Sequence, residues 1–165
     1  MRNDPSDEIP KIRGMRFPPV FAQLWSAGKW QQPDESLVQS LIPWLQGPIQ
    51  FIETMEWMEA ENGASLVDHP DSAQMFRQYR GSVCGDKELP WLDVEQSLFV
   101  AVNRIHGDDL GIALDFRTSV VNPRVVASHW CGERSDYHVE WRLVTNTFSE
   151  FVRKLNMVDA SEVAT

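Results

Sequence analysis

The recurrence of apolar residues divides the chain near Leu89. Before that point they recur at helical spacing between Pro and Gly breaks; after it they run together or alternate. Leu98-Phe99-Val100-Ala101-Val102 is apolar on both faces until Asn103, which predicts a strand in the interior of a sheet. The chain then turns at His106-Gly107-Asp108-Asp109 and returns as Leu110 to Phe116, the pattern of a hairpin. Arg124 to Trp130 reads as a third strand. In the fourth, Tyr137, Val139, Trp141 and Leu143 alternate with His138, Glu140 and Arg142, so the first set should face the core. Thr147-Phe148-Ser149-Glu150 has capping-box spacing. Phe148, Phe151, Val152 and Leu155 then make the buried stripe of a closing helix, with Arg153 and Lys154 where the dipole favours cations.

The N-terminal half is punctuated differently. Asp34 is an N-cap for a helix starting at Glu35, and Pro43 should end it near Ile42. Ile49 to Glu61 predicts the clearest helix of this half: Phe51, Met55 and Met58 share one face, Glu53 and Glu56 the opposite one, and Asn62-Gly63 supplies a stop. A shorter helix is expected from Asp71 to Arg80, burying Met75, Phe76 and Tyr79. Phe17-Pro18-Pro19-Val20-Phe21 is expected to lie extended across the core. Residues 1–16 are expected as a flexible arm, residues 17–157 as one domain and residues 158–165 as a loose tail. Helices first, then a meander of about four strands, then a helix: this order predicts an α+β fold with a mainly antiparallel central sheet packed by helices.

Composition narrows the class. A chain of 165 residues with 42% hydrophobic and 24% charged residues fits one globular domain. No apolar run approaches the roughly 20 residues of a membrane helix. The opening MRNDPSDEIPK lacks the apolar stretch of a secretory signal, so a cytoplasmic location is expected. Two cysteines, Cys84 and Cys131, suit a reducing compartment. The net charge of −9 is uneven: Glu53 to Asp115 holds 13 acidic and 4 basic residues, and the remainder 11 of each. Such a field repels nucleic-acid phosphate and draws basic partners, although solubility alone also explains it.

Candidate chemistry is sparse. His129 and Cys131 straddle Trp130, with His138 seven residues on, but no second ligand pair stands at zinc-site spacing, so no metal and no cofactor are expected. Cys131 with His138 as base would be a nucleophile pair, set aside because nothing places an oxyanion hole. Phosphate-cradling and nucleophile-elbow glycine motifs are absent from the sequence. Asp93 with Glu95, and Asp108 with Asp109, are acidic pairs that fall roughly 20 Å apart along the predicted hairpin at about 3.3 Å per residue, too far to act on one bond. Asp108 and Asp109 read most simply as turn residues. Trp91 and Trp30 fall in loop-like contexts, where a Trp lines an interface or tucks under its own domain.

The LPW-LDVEQ corner, the VNRIHGDDLGIALDFR hairpin, the NPRVVASHW strand and the TFSEFVRKL helix together resemble bacterial members of the SUKH superfamily, over roughly Leu89 to Leu155. That resemblance implies an α+β fold and a non-enzymatic binding protein, most often an immunity protein that neutralises a toxin, frequently a nuclease. It carries over no catalytic residue. The expectation is therefore a cytoplasmic protein-binding domain facing a basic toxin domain, with no nucleic-acid or membrane partner. Its candidate binding residues are Trp91, Asp93, Glu95, Asp108 and Asp109. A scaffold or small-molecule binder, and less favoured a Cys/His hydrolase, are the alternatives.

Overall fold

In the computed structural model, residues 9–63, 88–105 and 110–159 are described. The fold is α+β. A five-stranded antiparallel sheet has the order β3-β4-β5-β6-β7, built from Ile49–Phe51, Ser97–Asn103, Gly111–Asp115, Arg124–Cys131 and His138–Thr145. A small hairpin, β1 (Lys11–Ile12) with β2 (Met15–Arg16), stands apart from it. Four helices accompany the sheet among the described residues: α1 (Pro19–Ser26), α2 (Glu35–Leu41), α3 (Met55–Gly63) and α4 (Phe148–Lys154). None is long and apolar enough to cross a membrane.

Both faces of the sheet are buried. One face carries Leu98, Val100, Ile112, Leu114, Val125 and Ala127 into a core shared with the helices. There Phe21 of α1 meets Trp30 at 4.7 Å between ring centroids and Phe148 of α4 at 5.3 Å, so an aromatic column links the two ends of the chain. The other face carries Phe99, Ala113, Val126, Val139 and Trp141 against Leu92 and Val94. The loop holding those two residues is tied down where the Trp141 N–H donates to the Pro90 carbonyl, 2.8 Å.

Several expectations hold. Asp34 accepts from the Ser36 N–H at 2.8 Å and starts α2, which stops at Leu41 before Pro43. Thr147 accepts from the Glu150 N–H at 3.2 Å and starts α4, whose Phe148, Phe151 and Val152 are buried. The hairpin pairing of β4 and β5 sets Leu98 against Leu114.

Other expectations are corrected. The helix expected from Ile49 starts only at Met55: Ile49–Phe51 is an edge strand whose burial alternates with period two. Phe51 and Met58 are core residues, as their stripe implied, but they belong to different elements. The helix break is local, because the Thr54 hydroxyl accepts from the Trp57 N–H (3.2 Å) and so nucleates the shorter helix. Residues 17–21 do not all lie extended; Pro19 occupies the first turn of α1, where its fixed φ favours a helix and its missing N–H costs nothing. Residues 9–16 of the expected arm form the β1–β2 hairpin, turning through Arg13 and Gly14 at φ 52° and 77° and burying Ile12. In β7, Val139 and Trp141 are buried, but Tyr137 and Leu143 are 56% and 41% exposed. Leu143 keeps the register of Trp141, opposite Val126, and is exposed although it shares that face; the bulge follows it at Val144, so the phase flips there and Thr145 becomes the buried position opposite Val125. The helix expected at Asp71 to Arg80 lies outside the described residues.

Candidate metal centre at the end of the sheet

The candidate binding residues expected from the sequence do not converge on one site. Asp93 caps the short turn Val94–Gln96, accepting from the Glu95 N–H at 3.0 Å and from Gln96 Nε2 at 2.9 Å. Glu95 is exposed and pairs with Arg13 of the β1–β2 turn at 3.3 Å. Both are accounted for by holding that turn against the N-terminal hairpin, since Arg13 also donates to the Val94 carbonyl at 2.7 Å. Trp30 is a core residue whose Nε1 donates to the Ile52 carbonyl. Asp108 and Asp109 lie outside the described residues. Trp91 alone reaches a chemically mixed neighbourhood: its ring centroid is 6.1 Å from that of His138.

That neighbourhood is built by strand pairing. β6 and β7 run antiparallel with His129 opposite Glu140 and Cys131 opposite His138. Side chains two apart on a strand share a face, so all four project together, opposite the face of Val139 and Trp141. One donor atom each from His129, Cys131 and Glu140 lie within 4.8 Å of one another. His138 Nε2 is 3.0 Å from Glu140 Oε1 and 3.7 Å from Cys131 Sγ. All four side chains are half-buried, and Cys131 forms no disulfide.

Local structure fixes this end of the ladder. β5 pairs with β6 only as far as Ala127. Beyond it Gln46 takes over as a surrogate strand: the Trp130 N–H donates to Gln46 Oε1 at 2.7 Å and Gln46 Nε2 donates to the Trp130 carbonyl at 3.0 Å. On the β7 side, Gly132 turns the chain at φ 89°, where a side chain would collide with the Asp136 carbonyl. That same carbonyl accepts from His138 Nδ1 at 2.6 Å. The bond fixes one His138 proton on Nδ1, so Nε2 is the atom facing Cys131 and Glu140: it donates to Glu140 Oε1 when the ring is protonated and offers a lone pair when it is not. His129 Nδ1 is shielded from water and completes no hydrogen bond.

The electrostatics separate the four groups. The Asp136 carbonyl and the Glu140 carboxylate push the His138 imidazole up from its ordinary value. Burial, with help from Arg142, pushes His129 down from its ordinary value. The bond from His138 holds the Glu140 carboxyl low. Burial, and then the Glu140 charge, push the Cys131 thiol up. Glu140 was not among the residues singled out from the sequence; it enters only through the register that sets it opposite His129.

A second polar constellation lies at the other end of β6. Asp115 is fully buried and accepts from Arg117 Nε at 2.9 Å and Nη2 at 2.8 Å, and from Arg124 Nε at 2.8 Å. Arg117 also donates to the Trp91 carbonyl at 2.9 Å, which ties the network to the loop over the sheet. Burial opposes ionisation of Asp115, but the Arg117 and Arg124 donors outweigh it and hold the carboxyl below its usual range. Asp115 therefore belongs by sequence to the acidic segment without contributing to its outward field.

Comparison of the chain with protein-family models, with curated proteins and with solved structures gives no match. The SUKH resemblance accordingly rests on the sequence motifs quoted above.

Proposed function

We propose that this chain is a non-enzymatic protein-binding domain that acts as an immunity factor, neutralising a basic toxin domain by covering its active site. The observation that carries this reading is the outward face of α3. Glu56 and Glu59 are exposed three residues apart, Glu53 is exposed just before the helix, and the helix has no basic side chain. An acidic ridge on a rigid element speeds association with a basic partner and sets its orientation. It also offers carboxylates where a nuclease would take phosphates. The apolar side chains Val120 and Val121, 73% and 61% exposed in the loop before β6, add surface of the kind that protein interfaces cover.

The test is protection. If the chain is an immunity factor, co-expressing it with a toxin domain encoded beside its gene rescues growth, and the purified pair forms a stoichiometric complex. Changing Glu56→Lys and Glu59→Lys together should leave folding stability within about 0.5 kcal/mol, as exposed substitutions usually do. Association should slow at low salt, with the deficit closing as the Debye length shrinks below about 10 Å. A neighbouring toxin that neither binds nor is neutralised overturns the proposal. Unchanged association of the double variant removes α3 from the interface.

A further inference from the structure

We infer that His129, Cys131, His138 and Glu140 form a tetrahedral binding site for a divalent cation of the zinc type. The inference is independent of the immunity reading and rests on different residues. It begins with the ladder, since two i, i+2 pairs on adjacent antiparallel strands place four donors at the corners of a small quadrilateral.

The spacing suits zinc. With Zn–N near 2.0–2.1 Å, Zn–O near 2.0–2.2 Å and Zn–S near 2.3 Å, tetrahedral angles put donor atoms about 3.4–3.6 Å apart. The two edges at His138, 3.0 Å to Glu140 Oε1 and 3.7 Å to Cys131 Sγ, straddle that range. His129, Cys131 and Glu140 each bring a donor atom within 4.8 Å of the other two, and His138 joins them through its edges to Cys131 and Glu140.

Donor chemistry points the same way. Two imidazoles, a thiolate and a carboxylate are the mixed set that zinc accepts, whereas magnesium and calcium want oxygen donors. A thiolate and a carboxylate carry two negative charges, which balance a divalent ion.

An outer shell is already in place. A metal-bound imidazole characteristically donates its other ring N–H to a carbonyl or carboxylate, and His138 Nδ1 does so to the Asp136 carbonyl. Gly132 gives that carbonyl room to approach. Trp91 stands beside His138 and limits solvent on that side. A half-exposed His138–Glu140 ion pair would account for those two residues alone. It leaves unexplained why Cys131 and His129, with its shielded Nδ1, converge on the same point.

The experiment uses the full chain, stripped of metal under reducing conditions. Zn(II) is titrated against a chromophoric chelator, and Co(II) is added separately as a spectroscopic probe. The expected result is one equivalent of Zn(II), with visible absorption of tetrahedral cobalt and a thiolate-to-cobalt charge-transfer band. Cys131→Ser should abolish the charge-transfer band, and His138→Ala and Glu140→Gln should each weaken Zn(II) binding by about 100-fold or more. Cys84→Ser and the pair His69→Ala with His106→Ala should change neither signal. Circular dichroism of each variant checks that it folds, and the cobalt spectrum of the parent stands without any variant. Absence of stoichiometric binding, an octahedral cobalt spectrum, or a charge-transfer band that survives Cys131→Ser and vanishes with Cys84→Ser overturns the inference.

Discussion

Strand β6 begins in one charged cluster and ends in another, and the two are built on opposite principles. At its start Arg124 joins Arg117 in saturating the buried Asp115 carboxylate, with every partner supplied by the chain itself. At its end His129 and Cys131 join His138 and Glu140 in a half-buried group whose donor atoms face one another. The first centres on a fully buried carboxylate. The second is half-buried, with a thiol, a carboxylate and two imidazoles facing one another. Buried charge by itself therefore does not mark function: the deeper, better-paired cluster holds the fold together, and the looser one is the place to look for chemistry.

If the contrast is real, breaking the closed cluster should do most damage. Asp115→Asn leaves two guanidinium groups facing a neutral amide and should cost about 3–5 kcal/mol, as removing one member of a buried ion pair does; denaturant melts read it directly. Acid sharpens the same point. The Asp115 carboxyl titrates lower in the folded chain than its unfolded value near 3.9. Its contribution is thus fully present above about pH 4 and is lost as pH falls through the depressed folded value. Stability of the parent should fall steeply below about pH 4, and Asp115→Asn should flatten that limb; parallel, equally steep curves would assign the acid sensitivity elsewhere.

Effects at the open end should be smaller. Gly132→Ala forces a side chain into a left-handed turn and against the Asp136 carbonyl, and should cost about 1–3 kcal/mol. Because that carbonyl orients His138, the variant should also weaken Zn(II) binding, whereas Gly28→Ala, at φ 64° with open space around it, should cost stability alone. Smallest of all is His129→Ala in metal-free buffer, expected within about 1 kcal/mol because the side chain is only half-buried. A loss comparable to that of Asp115→Asn would make the tetrad a second structural cluster.

The sequence announced the sheet where packing is uniform and missed it where a local event intervened. Leu98 to Val102 is buried on both faces and reads as an interior strand without ambiguity. Ile49–Phe51 was hidden because Phe51, Met55 and Met58 stand at helical intervals by coincidence, and only the Thr54 cap separates strand from helix. Alternation puts Leu143 on the Trp141 face, which is right, but not every position of that face is covered, and Leu143 is exposed. The candidate site was half visible. His129, Cys131 and His138 stood out by type, and Glu140 was already on the His138 face of its strand. What no single strand reveals is register, and register alone brings Glu140 opposite His129. Trp91, Asp93 and Glu95 were legible as a group, yet Asp93 and Glu95 are accounted for by capping a turn and bridging to Arg13.

The separation of the two clusters is tested most directly by thermal unfolding with and without Zn(II) at about 100 times its dissociation constant. Saturation at that level stabilises the folded state by about 2.7 kcal/mol, which for a chain of this size corresponds to roughly 5–11 °C in Tm. The parent should show that rise. Asp115→Asn should melt lower but gain the same increment, and Cys131→Ser should melt near the metal-free parent and gain little. A parent that gains nothing from Zn(II), or an increment lost in Asp115→Asn and kept in Cys131→Ser, contradicts the account.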